Sequence, residues 1–278
     1  MIKFQSIMLV MVAIIGVRIL FMPLIGKAAL KSHLKKDVSK LFSLSGDISH
    51  KTFSYKQLEG LPIPVQRYFR YALDDGQSYI SYVRLKHTGT FKPAEDKKWT
   101  GIKGQQYFTA ETPGFLWKGK TSLFTARDMY IGGKGRLVVS LFSLFKVVDE
   151  QGEHIDQAEL LRWLGESVWF PTNLLPGENL QWTAIDSAKA KVTCTHNGIS
   201  VYYIVHFNEH GQITKLETER YMEKDRLEKW IGIVGDYKQV DGIRIPTYIE
   251  GKWDLEEGEY PYAKFHIQQI EYNIPHLF

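Results

Sequence analysis

Apolar and polar positions change period twice along the chain, and each change predicts a different kind of element. Residues 4–25, FQSIMLVMVAIIGVRILFMPLI, are almost wholly apolar. The unbroken core from Ile7 to Val17 has the length of a signal-peptide core, whereas the whole stretch is long enough to cross a bilayer. An uncleaved signal anchor is the first reading; a cleaved signal and a buried core helix are the others. Gly26-Lys27-Ala28-Ala29 puts a lysine inside the candidate cleavage site. Arg18 would have to snorkel or pair, and Pro23 supplies a kink. Residues 28–43 then follow a helical period, with Leu30, Leu34, Val38, Leu41 and Phe42 on one stripe and Lys31, Lys35, Lys36 and Lys40 elsewhere. Such a helix could lie on anionic headgroups or serve as a solvated linker.

A second helix is predicted after Leu61-Pro62-Ile63-Pro64, where Val65, Tyr68, Phe69, Ala72 and Leu73 make one apolar face before Asp74-Asp75-Gly76. From residue 79 the period becomes two. Val83 and Leu85 alternate with Arg84 and Lys86, Ile199 to Phe207 alternates across Val201, Tyr203 and Val205, and Ile213–Tyr221 and Ile243 to Trp253 follow. Gly132-Gly133-Lys134-Gly135, His196-Asn197-Gly198, Asn208-Glu209-His210-Gly211 and Asp241-Gly242 are turn signals. About ten strands joined by hairpins predict a large antiparallel sheet. One helix interrupts them, with Asp156 and Glu159 as a capping pair and Pro171 as its stop. Over 156–169 it carries Leu161, Leu164, Gly165 and Val168 on one face, with Trp163 and the following Phe170 nearly opposite. A helix apolar on both sides needs cover on both sides, so the sheet is expected to curve around it. The predicted fold is α+β: a curved antiparallel half-barrel wrapped around a helix, with an N-terminal transmembrane helix. Three units follow, a transmembrane signal anchor over 1–26, a basic juxtamembrane helix and linker over 27–54, and the half-barrel domain over 55–278.

Charge sharpens this division. The 278 residues carry a formal net charge of +4, but residues 1–51 hold eight basic and two acidic side chains and the remainder holds 27 and 29. The folded part is nearly neutral, which argues against nucleic acid as a partner. The lysines after the apolar segment favour a cytoplasmic domain by the positive-inside rule. The signal-like apolar core argues for the extracytoplasmic side, which is the placement expected here. A single cysteine, Cys194, excludes an internal disulfide framework and any multi-cysteine metal site.

Candidate chemistry is sparse. His206, Glu209 and His210 lack the helical context of a metalloprotease pair, Gly132–Gly135 lacks the spacing of a phosphate loop, and no Gly-x-Ser-x-Gly elbow occurs. No cofactor or metal is therefore expected. Arg127-Asp128 and Asp236-Tyr237 are polar pairs in strand context. Aromatic residues are the richer signal, at 13% of the chain. They build a core in the simplest case, and an aromatic-lined pocket for a lipophilic ligand in the other. The expected wall residues are Tyr107, Trp117, Trp163 and Trp169, with the Arg162–Glu166 pair at the rim.

Taken together, Leu61-Pro62-Ile63-Pro64-Val65-Gln66-Arg67-Tyr68-Phe69, Gln106-Tyr107-Phe108-Thr109-Ala110 with Pro113-Gly114-Phe115-Leu116-Trp117, and Glu166-Ser167-Val168-Trp169-Phe170-Pro171-Thr172 with Leu174-Leu175-Pro176 resemble an uncharacterised bacterial family of unknown function. Trp182 with Ile185-Asp186, Gly235-Asp236-Tyr237, Ile245-Pro246 and Tyr260-Pro261-Tyr262 continue the pattern, which spans roughly residues 55–273. The strand–helix–strand order is similar to LolA-like lipoprotein-carrier half-barrels. That resemblance implies an extracytoplasmic location in the cell envelope and a cavity for acyl chains, while fold alone sets no function. Three readings follow. The first is a membrane-anchored, non-catalytic binding module for a lipid or other lipophilic molecule. The second is a structural or assembly partner of envelope proteins. The third is an enzyme acting on an envelope component through Asp128, Glu166 or Asp236, recognisable by two such carboxyls converging.

Overall fold

The computed structural model describes residue 26 and residues 28–278. The predicted membrane helix lies outside the described residues, and no described helix is long and apolar enough to cross a membrane.

Thirteen strands form one antiparallel sheet in the order β6-β5-β4-β3-β2-β1-β13-β12-β11-β10-β9-β8-β7. The chain enters at the centre through β1 (Tyr82–Phe91) and meanders outward through β2 (Thr100–Thr109), β3 (Gly114–Lys120), β4 (Phe124–Ile131), β5 (Lys134–Leu141) and β6 (Phe145–Glu150). It then crosses to the opposite edge. From there β7 (Leu180–Ala184), β8 (Lys189–His196), β9 (Ile199–Phe207), β10 (Ile213–Glu223), β11 (Arg226–Val240), β12 (Ile243–Leu255) and β13 (Gly258–Tyr272) meander back to pair with β1. The crossing segment carries α3 (Glu153–Glu166) and two short 3-10 turns, Ser167–Trp169 and Pro171–Leu174. A connection between the two edges must traverse a face of the sheet, and α3 touches β3, β4 and β5 on one side and β9 and β10 on the other. Strands so distant in sheet order can meet one helix only if the sheet curls around it. The predicted half-barrel and its central helix are therefore present.

The boundaries of α3 differ from the expectation. It starts after Gly152, whose φ of 129° no side chain tolerates well, and no side chain caps it. Asp156 and Glu159 are not capping residues. Asp156 accepts from the backbone N–H of Gly135 at 2.7 Å and from Lys134 Nζ at 2.8 Å, tying the helix to β5. Glu159 turns into the interior, described below. Ten of the fourteen residues of α3 are buried, as two apolar faces require.

The remaining helices pack on opposite faces of the sheet. Pro64 sits in the first turn of α2 (Ile63–Ala72), where its missing N–H costs nothing, and Val65, Tyr68, Phe69 and Ala72 face the core. The helix over 28–43, α1, lies on the convex face. Leu34, Val38, Leu41 and Phe42 are buried against Tyr82, Tyr107, Leu116 and Met129, and Asp37 pairs with Arg127 at 2.6 Å. Fully burying each such aliphatic or aromatic side chain contributes about 1.5–3 kcal/mol. The apolar stripe is thus spent on the sheet, and the lysines Lys31, Lys35, Lys36 and Lys40 face outward. Of the two sequence readings of this helix, a headgroup-bound apolar face is overturned.

Candidate functional site

Register on the concave face builds a row of polar groups under α3. Asp128 on β4 stands opposite Trp117 on β3, and Trp117 stands opposite Gln106 on β2. All three point inward, because Phe108 and Phe115, two residues from Gln106 and Trp117, belong to the main core. Above the row, Glu159, Arg162 and Glu166 follow at helical spacings of three and four on α3.

Arg162 unites the two elements. Its Nε donates to Glu166 at 3.0 Å and its Nη1 donates to Asp128, while its guanidinium lies 5.1 Å from the ring of Phe115 and 5.0 Å from that of Trp117. Gln106 Nε2 donates to the other oxygen of Glu166 at 2.5 Å. Glu159 is 4% exposed beside Asp128; burial first, and the Asp128 charge next, hold its carboxyl well above the usual range. Arg162 and the half-buried Arg220 of β10 supply the positive charge that faces these carboxyls.

Beside this cluster the sheet is floored by rings lying flat. Trp117 Nε1 donates to His87 Nε2 at 2.7 Å, and Phe265 covers the other side of the His87 ring at 4.4 Å. Gly104 and Gly119 make room: a Cβ at 104 would meet His87 Nε2 at 1.9 Å, and one at 119 would meet Trp117 Cη2 at 2.2 Å. Toward the open end of the barrel, Trp230 Nε1 donates to Tyr262 Oη at 3.0 Å and Trp253 stacks on Tyr262 at 6.1 Å. Phe91, Met222, Ile249, Leu255, Tyr262 and Phe265 are apolar or aromatic and only partly buried against the core there.

Of the six residues expected at a site, the structure brings three together: Trp117, Arg162 and Glu166. Trp163 and Trp169 sit higher, in the main core; Trp163 Nε1 donates to the Thr109 carbonyl at 2.9 Å and Trp169 meets Phe108 edge-on. Tyr107 is on the other face of the sheet, between Phe42 of α1 and Phe278. The reason is register. Tyr107 pairs with Leu116 rather than Trp117, so the two aromatics of one hairpin face opposite sides. Nor is the Arg162–Glu166 pair an open rim, since the Arg162 side chain is 13% exposed and occupied by both carboxylates. Among the enzyme candidates, Asp128 and Glu166 converge, but on the same guanidinium. Asp236 is exposed on β11 with φ 54°. Gln106, His87 and Arg220 were not expected at a site from sequence, and Glu159 was expected only as a capping residue. The helical spacing of 159, 162 and 166 could have signalled Glu159; the other three depend on strand register.

The remaining motifs resolve locally. Cys194 is buried on β8, its thiol pushed up to about 12 by burial. His206 on β9 bonds Glu217 on β10 at 2.7 Å, and His210 lies in the following turn.

A family model matches residues 51–265, and the chain belongs to that family, a family of unknown function designated DUF6544. Among curated proteins none matches the chain. Among solved structures, a LolA superfamily protein from Nitrosomonas europaea is similar over 75% of this chain and 91% of its own, with 12% identity and a TM-score of 0.42. An outer membrane lipoprotein-sorting protein domain from Vibrio parahaemolyticus is similar over 69% of this chain and 86% of its own, with 10% identity and a TM-score of 0.39.

Proposed function

We propose that the protein is a membrane-anchored, non-catalytic binding module for a lipid or other lipophilic molecule, held at the open end of the concave face below α3. One observation carries this reading: the partly buried apolar row of Phe91, Met222, Ile249, Leu255, Tyr262 and Phe265 across the mouth of the half-barrel. A concave, mostly apolar surface with a few convergent polar groups is the usual setting for such a ligand. Arg220, half-buried on the same face, supplies a cation for a carboxylate or phosphate head. Asp128 and Glu166, the two candidate carboxyls that converge, are engaged with Arg162 instead. Anchoring rests on the apolar segment 4–25, and its signal-like core supports an envelope membrane with the domain extracytoplasmic.

Delipidated full-length protein titrated with a fluorescent fatty acid should show saturable binding, weakened by Phe265→Ala and by Arg220→Gln. Absence of saturable binding at high micromolar concentration overturns the reading. A reporter fused after Phe278 that is active only in the cytoplasm would reverse the expected side.

A further inference from the structure

The hairpins β3–β4 and β5–β6 present an apolar tip that the core does not use. Leu123, Phe124, Phe142, Phe145 and Val147 are 49%, 42%, 54%, 53% and 55% exposed, half of the ten large hydrophobics so exposed among the described residues. The two turns are locked into one surface: Phe142 N–H donates to the Leu123 carbonyl at 2.8 Å, and the Thr125 and Ser143 hydroxyls bond at 2.8 Å. Phe142 and Ser143 have φ of 51° and 62°. Consecutive left-handed positions in a hairpin turn suit Asn-Gly, so a phenylalanine there is held at a conformational cost with no burial to offset it. Strain of this kind at an exposed apolar residue points to a use outside the fold.

Two further observations say what covers this tip. Gly26, the residue that follows the apolar segment 4–25 in sequence, packs on the tip so closely that a Cβ would lie 2.5 Å from Leu144 Cγ. Lysines surround the same end. Lys31 opens α1, and Lys118 and Lys120 lie on the convex face of β3, in a cleft they share with Leu30, Leu34 and Ser143. Lys103 on β2 stands opposite Lys120. Among the described residues none of these four lysines meets a carboxylate within salt-bridge distance. Lys118 Nζ donates to the neutral Gln105 Oε1 at 2.8 Å, and burial and the neighbouring Lys120 hold its amine below the usual range. Exposed apolar tips rimmed by unpaired lysines, beside the residue that follows a bilayer-length segment in sequence, match an anionic lipid surface.

We infer that the β3–β4 and β5–β6 hairpin tips form a second membrane contact, with Leu123, Phe124, Phe142 and Phe145 entering the interface and Lys31, Lys103, Lys118 and Lys120 meeting anionic headgroups. This rests on the anchored reading above, and it fixes which end of the barrel faces the bilayer. The test uses full-length protein carrying Cys194→Ala and either Phe142→Cys or Ile63→Cys. Ile63 is an exposed control on α2, which packs on β8 and β12 rather than on the two hairpins. Each variant is labelled with an environment-sensitive fluorophore and reconstituted into phosphatidylcholine vesicles with or without phosphatidylglycerol. Spin-labelled lipid should quench the label at 142 by at least about twice as much as that at 63, as an interfacial site requires. Phosphatidylglycerol should raise that quenching, and Lys118→Gln with Lys120→Gln should remove the increment. Protein that floats with vesicles but shows equal quenching at both sites overturns the tip contact and leaves the anchor standing. Protein that does not float overturns the anchor and the tip contact with it. A label at 142 shielded in detergent, with a dimeric mass, would assign the tip to a second copy and overturn the inference; shielding in a monomer would assign it to residues 4–25 with the same result.

Discussion

The rings of Trp117 and His87 lie within 5° of parallel, with the indole N–H directed at His87 Nε2. That bond fixes the tautomer. Nε2 accepts, so the imidazole proton sits on Nδ1, which has no partner among the described residues. Protonation would cost Trp117 its acceptor and set a second cation beside Arg162. Burial first, and Arg162 next, accordingly bring His87 down to about 3.

Acid sensitivity follows from that shift. The native state binds fewer protons at His87 than the unfolded chain, so stability is lost as pH falls from 6.5 toward 3. Each unit in that window costs about 1.4 kcal/mol. His87→Gln retains an acceptor for Trp117 without titrating, and urea midpoints between pH 4 and 7 should fall less steeply for it than for the parent. Identical slopes would show that His87 is protonated in the native state.

Glu159 acts in the opposite direction. Its native pKa lies above the unfolded value near 4.5, so the stability it gives is fully present below that value and is lost as pH rises through the native pKa. Glu159→Gln mimics the protonated side chain without titrating. The variant should match the parent at pH 4 and exceed it in denaturant midpoint at pH 8. A variant less stable than the parent at pH 8 would mean that Glu159 is ionised there.

Arg162 is expected to be the costliest single polar position. Arg162→Met leaves Asp128 and Glu166 buried without their common partner, a loss of about 3–5 kcal/mol. Adding Asp128→Asn and Glu166→Gln should recover much of it, because the cost lies in the stranded charges. If the triple variant is no more stable than the single one, packing of Arg162 on Phe115 and Trp117 outweighs its ion pairs.

Two glycines seat α3, and they should respond unequally to alanine. A Cβ at Gly135 would meet the Ile155 carbonyl oxygen at 2.5 Å, a backbone contact that cannot yield cheaply. At Gly165 the obstacle is the Tyr203 hydroxyl at 2.8 Å, on a side chain that can turn. Equilibrium unfolding should place Gly135→Ala below Gly165→Ala, with overpacking costs of about 1–3 kcal/mol. The reverse order would mean that the helix, rather than Tyr203, is the part that moves.

The sequence by itself determined the kinds of element and their order. Val83 and Leu85, Ile199 to Phe207 and Ile243 to Trp253 alternate because one face of each strand is dry, and a period of two survives without knowledge of the partner strand. The two apolar faces of α3 announced a helix enclosed by its sheet, since only enclosure makes both faces favourable. The four-residue spacing of Arg162 and Glu166 gave their ion pair for the same local reason. What lies opposite what was decided only in three dimensions. Whether Tyr107 or Gln106 shares a face with Trp117 depends on a one-residue choice of register in the β2–β3 hairpin, and that choice moved Tyr107 to the convex side. Asp128 and Arg220 lie on strands far apart in sequence, and they meet below α3 because the sheet curls, a property of the summed twist of thirteen strands. The apolar stripe of α1 was visible, but a stripe fits a lipid surface and a sheet equally well. Contact with Tyr82, Tyr107, Leu116 and Met129 assigned it to the sheet and left its lysines, with the hairpin tips, facing outward.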